Sequence, residues 1–424
     1  MFLRFLLFVM IVVNLNAAIV TQDVNDNNKS KFMMVLPFGL STESMGLVFG
    51  AVGIWSGYGQ EQMNILVSGY YGVPSKIENT FEEVSAFGVA VAVNNFKPYW
   101  SERTYVSLLG MIAYYPNQSL YVHGSNDSPH EPLKTKGYND WFYINYNFVL
   151  PMGEYTDKTV ITYSLDRGLP KGREKFGGGI PFVTGASTIE WSPFYTRWTA
   201  DKLNYDPTWA SNGLRVKFVH DNTDFISTPS RGYNFYLQYS VDFGAFNSSQ
   251  TWDAYEASYS QYIELGNASW MRQNVIALNI WTAYSPSWEL DNYFEDTEIN
   301  AHRPPAWEGA RLGGHTRMRG YATNRFSDKA AIYYGAEYRF IPDFNPLNKK
   351  DNTWMPIGID WFQAVLFAEA GRVSPEYTFD ILHDDMKYDV GFSIRALAAK
   401  IPVRFDMAYG KEGMNMWFMV QQAF

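Results

Sequence analysis

From Tyr233 to Asp242 the chain sorts into two faces when read in steps of two. Tyr233, Phe235, Leu237, Tyr239 and Val241 fall on one side; Asn234, Tyr236, Gln238, Ser240 and Asp242 fall on the other. Successive side chains of a β-strand point to opposite faces, so this segment reads as a strand with one apolar and one wet side. The same division holds for Tyr255–Leu265, where Glu256, Ser258, Ser260, Tyr262 and Glu264 share the wet side. It holds for Asp389–Ala398, with Asp389, Ser393 and Arg395, and for Val403–Gly410, with Arg404 and Asp406. A soluble β-sandwich alternates too. These segments are long, however, and their apolar sides carry large aromatics in place of small core-filling aliphatics. A Lys or Arg on the lipid face of a barrel costs roughly 2–4 kcal/mol at the bilayer midplane, so several strands sorting alike is not expected by accident. The pattern predicts an all-β transmembrane barrel, apolar outside and polar within.

Both chain ends agree with a membrane-embedded barrel. The last residues, Met416 to Phe424, alternate again, with Met416, Phe418, Val420, Gln422 and Phe424 expected to face lipid. Gram-negative outer-membrane barrels end on such a strand, which predicts that Phe424, Val420 and Phe418 form a C-terminal assembly signal for the cell's own insertion machinery. Gln422 is the polar exception on that face. At the other end, Arg4 precedes an apolar run from Phe5 to Val13 and a polar-to-small stretch to Ala18, the layout of a secretory signal peptide over residues 1–18. A polar, unpatterned tail over 19–32 and a barrel over 33–424 complete the expected organisation. No later run of eighteen apolar residues exists, so helical spans are not expected. Aromatics reach 17%, which the two interfacial girdles of a barrel would accommodate. Cysteine is absent, removing disulfides and thiolate sites together. A net charge of −9 with no basic stripe argues against nucleic acid as a partner.

At ~10 residues per strand with alternating short turns and longer loops, a barrel uses roughly 25 residues per strand, so sixteen antiparallel strands fit the chain. Fourteen segments read as strands, the first being Met45–Trp55; residues 159–201 are expected to supply two more. Loops are expected at 117–139, 166–179, 288–324 and 343–353. The third is long enough to carry function.

That loop contains Arg311-Leu312-Gly313-Gly314-His315-Thr316-Arg317-Met318-Arg319-Gly320-Tyr321, and the strand Ala331–Pro342 follows it. Val365–Val373 places Glu369 two positions before Gly371. Asp221-Asn222-Thr223-Asp224 leads to Pro229-Ser230-Arg231-Gly232, and Pro402–Tyr409 reads as a penultimate strand. Together and in this order, these elements resemble the bacterial surface-antigen superfamily of sixteen-stranded outer-membrane barrels. That family includes BAM-type insertases, translocation-and-assembly relatives and two-partner-secretion transporters. The resemblance implies that a long extracellular loop folds into the lumen, where Arg319 of the Arg319-Gly320-Tyr321 motif meets an acidic residue of the inner wall. Alternation places Glu337 and Glu369 inward on adjacent strands, so one or both could accept the guanidinium. Gly313, Gly314 and Gly320 would let the loop turn tightly and approach the wall. Two departures stand out: the acid is Glu369 where the family usually has Asp, and the soluble N-terminal repeats of the insertases and transporters are not expected ahead of the first strand.

Other chemistry is thin. The six histidines show no metal-ligand spacing, and no Gly-x-Ser-x-Gly elbow occurs. No catalytic residue, metal or cofactor is expected. The expected function is assembly or translocation of a protein, or a lipid, at the bacterial outer membrane. Outer-membrane lipids surround the barrel in that reading, a protein client is its cargo, and passage runs through the lumen or between the first and last strands. The alternatives are a passive porin-like channel for small solutes and, more remotely, a barrel-rim lipase.

Overall fold

The computed structural model describes residues 20–23, 31–42, 44–76, 83–121, 124–172, 177–201, 208–266, 268–289, 302–305, 307–347, 359–398, 401–420 and 422–424. The expected signal peptide lies outside them. Sixteen strands pair in sequence order into one antiparallel sheet. They are β1 (Phe32–Thr42), β2 (Gly46–Ser56), β3 (Asn64–Gly72), β4 (Phe87–Phe96), β5 (Thr104–Leu120), β6 (Leu133–Val149), β7 (Ala186–Thr199) and β8 (Thr208–Thr223). The second half comprises β9 (Gly232–Asp242), β10 (Trp252–Glu264), β11 (Met271–Tyr284), β12 (Ala330–Pro342), β13 (Ile359–Ser374), β14 (Lys387–Ala398), β15 (Ile401–Gly410) and β16 (Gly413–Val420). The fold is a sixteen-stranded transmembrane β-barrel, as the alternation predicts.

The two faces divide as the period-two pattern requires. Leu237 and Val390 are each 57% exposed on the outside, while Ser240 on β9 and Arg395 on β14 are 1% exposed within. The sheet is rolled far enough for distant strands to meet over one end. There Asn126, between β5 and β6, donates from Nδ2 to the Asp385 carbonyl between β13 and β14 at 3.1 Å. Arg325, on the connection between β11 and β12, bonds Ser128 Oγ at 2.9 Å and Glu412 Oε2 at 2.9 Å, joining three connections.

Two strand expectations are corrected. Residues 159–201 supply one barrel strand, β7, and the remaining strand is β1, which precedes the expected first one. β1 hides from a search for alternation because Met34, Leu36 and Phe38 are apolar on the face opposite Met33 and Val35. Its inward Phe38 packs with Met45, Val48, Tyr70 and Tyr115, so this part of the lumen wall is greasy. Pro37 is tolerated because β1 is a sheet end, where a missing N–H costs no ladder bond on the open side. The expected loop at 117–139 is shorter than predicted, since the β5–β6 ladder continues through Gln118↔Thr135 to Leu120↔Leu133.

The connection between β6 and β7 leaves the sheet at the end opposite the loop motif. It makes a short 3-10 turn at Gly153–Tyr155, then a strand, Val160–Tyr163, that pairs in parallel with Val20–Asp23. A small hairpin, Leu165–Asp166 with Leu169–Pro170, follows.

Candidate functional site in the lumen

Between β11 and β12 the described residues 307–329 turn back into the barrel. Their apolar side chains are the reason: Ala310, Leu312, Met318, Tyr321 and Phe326 bury against Trp281 and Ala283 of β11, Ala331 and Tyr333 of β12, and Val373 of β13. Water excluded by this packing surrounds no part of Arg319, which is fully buried. The loop tip is tight. Met318 adopts a left-handed backbone (φ 55°) and Tyr321 N donates to Met318 O at 3.0 Å. A non-glycine residue in that region persists only where its surroundings over-determine it.

Arg319 draws its partners from the inner wall. Its backbone N–H donates to Glu369 Oε2 at 2.6 Å and its Nε to Glu369 Oε1 at 3.2 Å. Nη2 lies 2.8 Å from Glu337 Oε1, and Nη1 lies 3.8 Å from Asp406 Oδ2. Neither of those two contacts has hydrogen-bond alignment, so they are ionic contacts rather than directed bonds. The guanidinium carbon sits 3.5 Å from the centroid of the Phe367 ring, which covers the remaining face. The structure brings both sequence-nominated carboxylates to the same arginine. The extra methylene of Glu369, relative to Asp, lets its two oxygens serve the loop backbone, the guanidinium and the Tyr333 hydroxyl, the last at 2.5 Å.

The next two residues are held separately. Gly320 N donates to Asp389 Oδ2 at 3.0 Å, and Asn415 Nδ2 donates to Gly320 O at 2.8 Å. A Cβ on Gly320 would stand 2.5 Å from Asp389 Cβ and 2.8 Å from Gly410 N, so only glycine fits against this wall. Tyr321 donates from its hydroxyl to Tyr388 O at 3.2 Å. Gly313 takes a left-handed φ of 103° where a Cβ would strike the Ala322 carbonyl. Gly314 (φ 112°) lies on the same turn, its N donating to Tyr321 O at 3.1 Å. His315, also on the loop, has its carbonyl held by Arg404 Nη2 at 2.5 Å.

Several participants were not nominated from sequence. Arg395 Nη2 donates to both Glu337 oxygens at 2.8 Å, and Arg339 Nε donates to Glu337 Oε2 at 2.7 Å. Asp406 pairs Arg404 at 2.5 Å, and Trp417 Nε1 donates to Arg319 O at 2.8 Å. Alternation in the sequence puts Asp389, Arg395, Arg404 and Asp406 on the wet face, and that is the signal available for them. The step that alternation cannot supply is which inward charges lie at the same height.

The C-terminus departs from its expected position. β16 ends at Val420, and Phe424 lies inside the lumen instead of against lipid. Its ring packs with Tyr262, Val275 and Ala277 and lies 5.0 Å from the Arg339 guanidinium, which donates to Phe424 O at 3.1 Å. The polar exception in the pattern supplies the reason: Gln422 accepts a bond from Arg395 and its Nε2 reaches Ser227 O, contacts unavailable on a lipid face. Met416 keeps the outward position expected of it and Phe418 is half-buried; the side chain of Val420 falls outside the described residues.

A sixteen-stranded barrel with a long loop ion-paired to its inner wall defines a class of membrane barrels that fill their own lumen. The Omp85 superfamily domain model matches residues 114–415, and the chain belongs to that superfamily. Among solved structures, CdiB from Escherichia coli is similar at 10% identity with a TM-score of 0.56, covering 91% of this chain and 61% of that one. BamA from Haemophilus ducreyi lacking POTRA domains 1–3 is similar at 13% identity with a TM-score of 0.46, covering 92% of this chain and 69% of that one. No curated protein matches the chain in sequence.

Proposed function

We propose that this barrel assists the assembly or translocation of protein substrates at the bacterial outer membrane, without enzymatic chemistry. The observation that carries this reading is an occupied lumen: the loop bearing Arg319 and the tail ending in Phe424 both lie where a passive channel would need open water. A porin for small solutes would gain nothing from burying so many charges across its path. A second observation supports lateral access. β1 and β16 end the sheet, and among the described residues no ladder joins them. β1 has eleven residues and β16 eight, and at the two ends of the sheet their outer backbone donors and acceptors are what another strand would use.

In this reading the buried pairs of Arg319 hold the loop against β12–β15 and stiffen that wall, while the seam between β1 and β16 is where substrate strands would enter. Phe424, Val420 and Phe418 serve the barrel's own insertion. Depleting the protein from its host and measuring envelope proteins beside small-solute uptake tests the proposal. Loss of specific outer-membrane or secreted proteins with unchanged uptake is expected. Unchanged protein levels with reduced solute uptake would favour the porin; altered lipid composition alone would move the cargo to lipid.

A further inference from the structure

Residues 150–172 cross the mouth of the barrel at the end away from the loop motif. Their start is fixed beside β5 and β6. Arg103 donates to Val149 O at 2.8 Å, to Leu150 O at 3.1 Å and to Thr156 O at 3.2 Å, and the Tyr105 and Thr159 hydroxyls meet at 2.8 Å. Val160 and Ile161 then pack on Tyr105, Val149, Tyr155 and Ala186. Midway, the Tyr163 ring meets Phe225, in the connection between β8 and β9, edge-on at 5.1 Å. The far end is the Leu165–Pro170 hairpin, whose Leu169 is buried among Ile341 of β12, Trp361 of β13 and Leu397 of β14, all inward side chains. Arg272 on β11 donates to Asp166 O at 2.6 Å, and Arg167 pairs Asp343 at 2.6 Å. β5 and β13 stand eight places apart in a sixteen-strand order. A segment touching the inner side chains of both therefore spans the mouth from side to side.

We infer that this segment is a displaceable crossbar that closes the lumen at the mouth away from the loop motif, and that the hairpin is its moving part. The two ends are held unequally. The β5 end has a multidentate arginine and a four-residue apolar cluster with two further side chains packed on it. The hairpin end rests on one buried leucine, on the Asp166 and Arg167 carbonyls taken by Arg272, and on two ion pairs, Arg167–Asp343 and Arg272–Asp166, each with an aspartate 57% exposed, a kind that contributes little to stability. The loop on the other side of the lumen is held by wholly buried ions. Displacement therefore begins at Leu169, with the β5 end as the hinge. Gly168 fits this arrangement: it has a left-handed φ of 74°, and a Cβ there would stand 2.3 Å from Leu397, so the hairpin seats closely on β14.

Single-channel recording of the full-length barrel in planar bilayers tests the crossbar. Leu169→Asp, made beside Arg319→Ala so that the loop no longer holds the lumen shut, should raise the open probability at least tenfold over Arg319→Ala alone while the barrel keeps its heat-modifiable gel mobility. A folded double variant as quiet as Arg319→Ala alone would overturn the proposal. The protein has no cysteine, so Arg167→Cys with Asp343→Cys can be bridged by a short reducible bis-thiosulfonate spacer. Bridging should abolish residual openings and reduction should restore them, a readout that stands even if Leu169→Asp fails to fold. Equal opening before and after reduction would contradict a moving hairpin.

Discussion

Arg319 shows how one residue can set the state of a loop. A guanidinium this deeply buried is tolerable only because Glu337 and Glu369 contact it and Phe367 covers it. Arg319→Ala leaves those carboxylates without this partner, and loss of one member of a buried pair costs about 3–5 kcal/mol. The expected result is a lower urea midpoint for the folded barrel in lipid vesicles. Arg319→Lys should recover only part of it, because an ammonium cannot present the planar fork that reaches both carboxylates. Gly320→Ala tests the close approach separately: with a methyl 2.5 Å from Asp389 Cβ, the loop must lift, and protease should cut within 285–329 much faster than in the unaltered protein. Unchanged cleavage would show that the loop does not depend on this contact. The motif and both acids were legible in the sequence, because alternation assigns a side and the resemblance supplies a partner. Arg339 and Arg395 were not recognised as members of the network, since strand stagger decides which inward charges meet.

At the scale of the strand, the two-faced pattern makes a sharp prediction for neighbours. Leu237 faces lipid and Gln238 faces the lumen, where it donates to Glu256 at 3.1 Å. Leu237→Arg should cost roughly 2–4 kcal/mol if it lies near the bilayer midplane, whereas Gln238→Arg should stay within about 1 kcal/mol, both read from urea titrations in vesicles. Equal effects would contradict the assignment of faces. Alternation also explains which elements could be read. β9, β10, β14 and β15 have one wet and one apolar side. β1 has apolar residues on both, because its lumenal side touches Tyr70 and Tyr115, so no period marks it. The crossbar was hidden for another reason: its strand of four residues and its two-residue hairpin arms are shorter than any periodicity can register. Phe424 followed the pattern in sequence and left it in space, because Arg339 and Arg395 offer the tail polar contacts that lipid does not.

The whole molecule is a barrel that keeps its interior filled from both ends and has its first and last strands as sheet ends. The loop at one mouth and the crossbar at the other are built by different physics, a buried ion network in one case and a shallow apolar seat in the other. In the proposed function the seam between β1 and β16 receives protein strands and depends on the loop held by Arg319. Photoreactive residues placed at Met33 on β1 and Met416 on β16, both facing outward, address it directly in living cells. Adducts with newly made proteins are expected at both positions, reduced several-fold by Arg319→Ala. Adducts with lipid alone, at the same yield with and without Arg319, would contradict it.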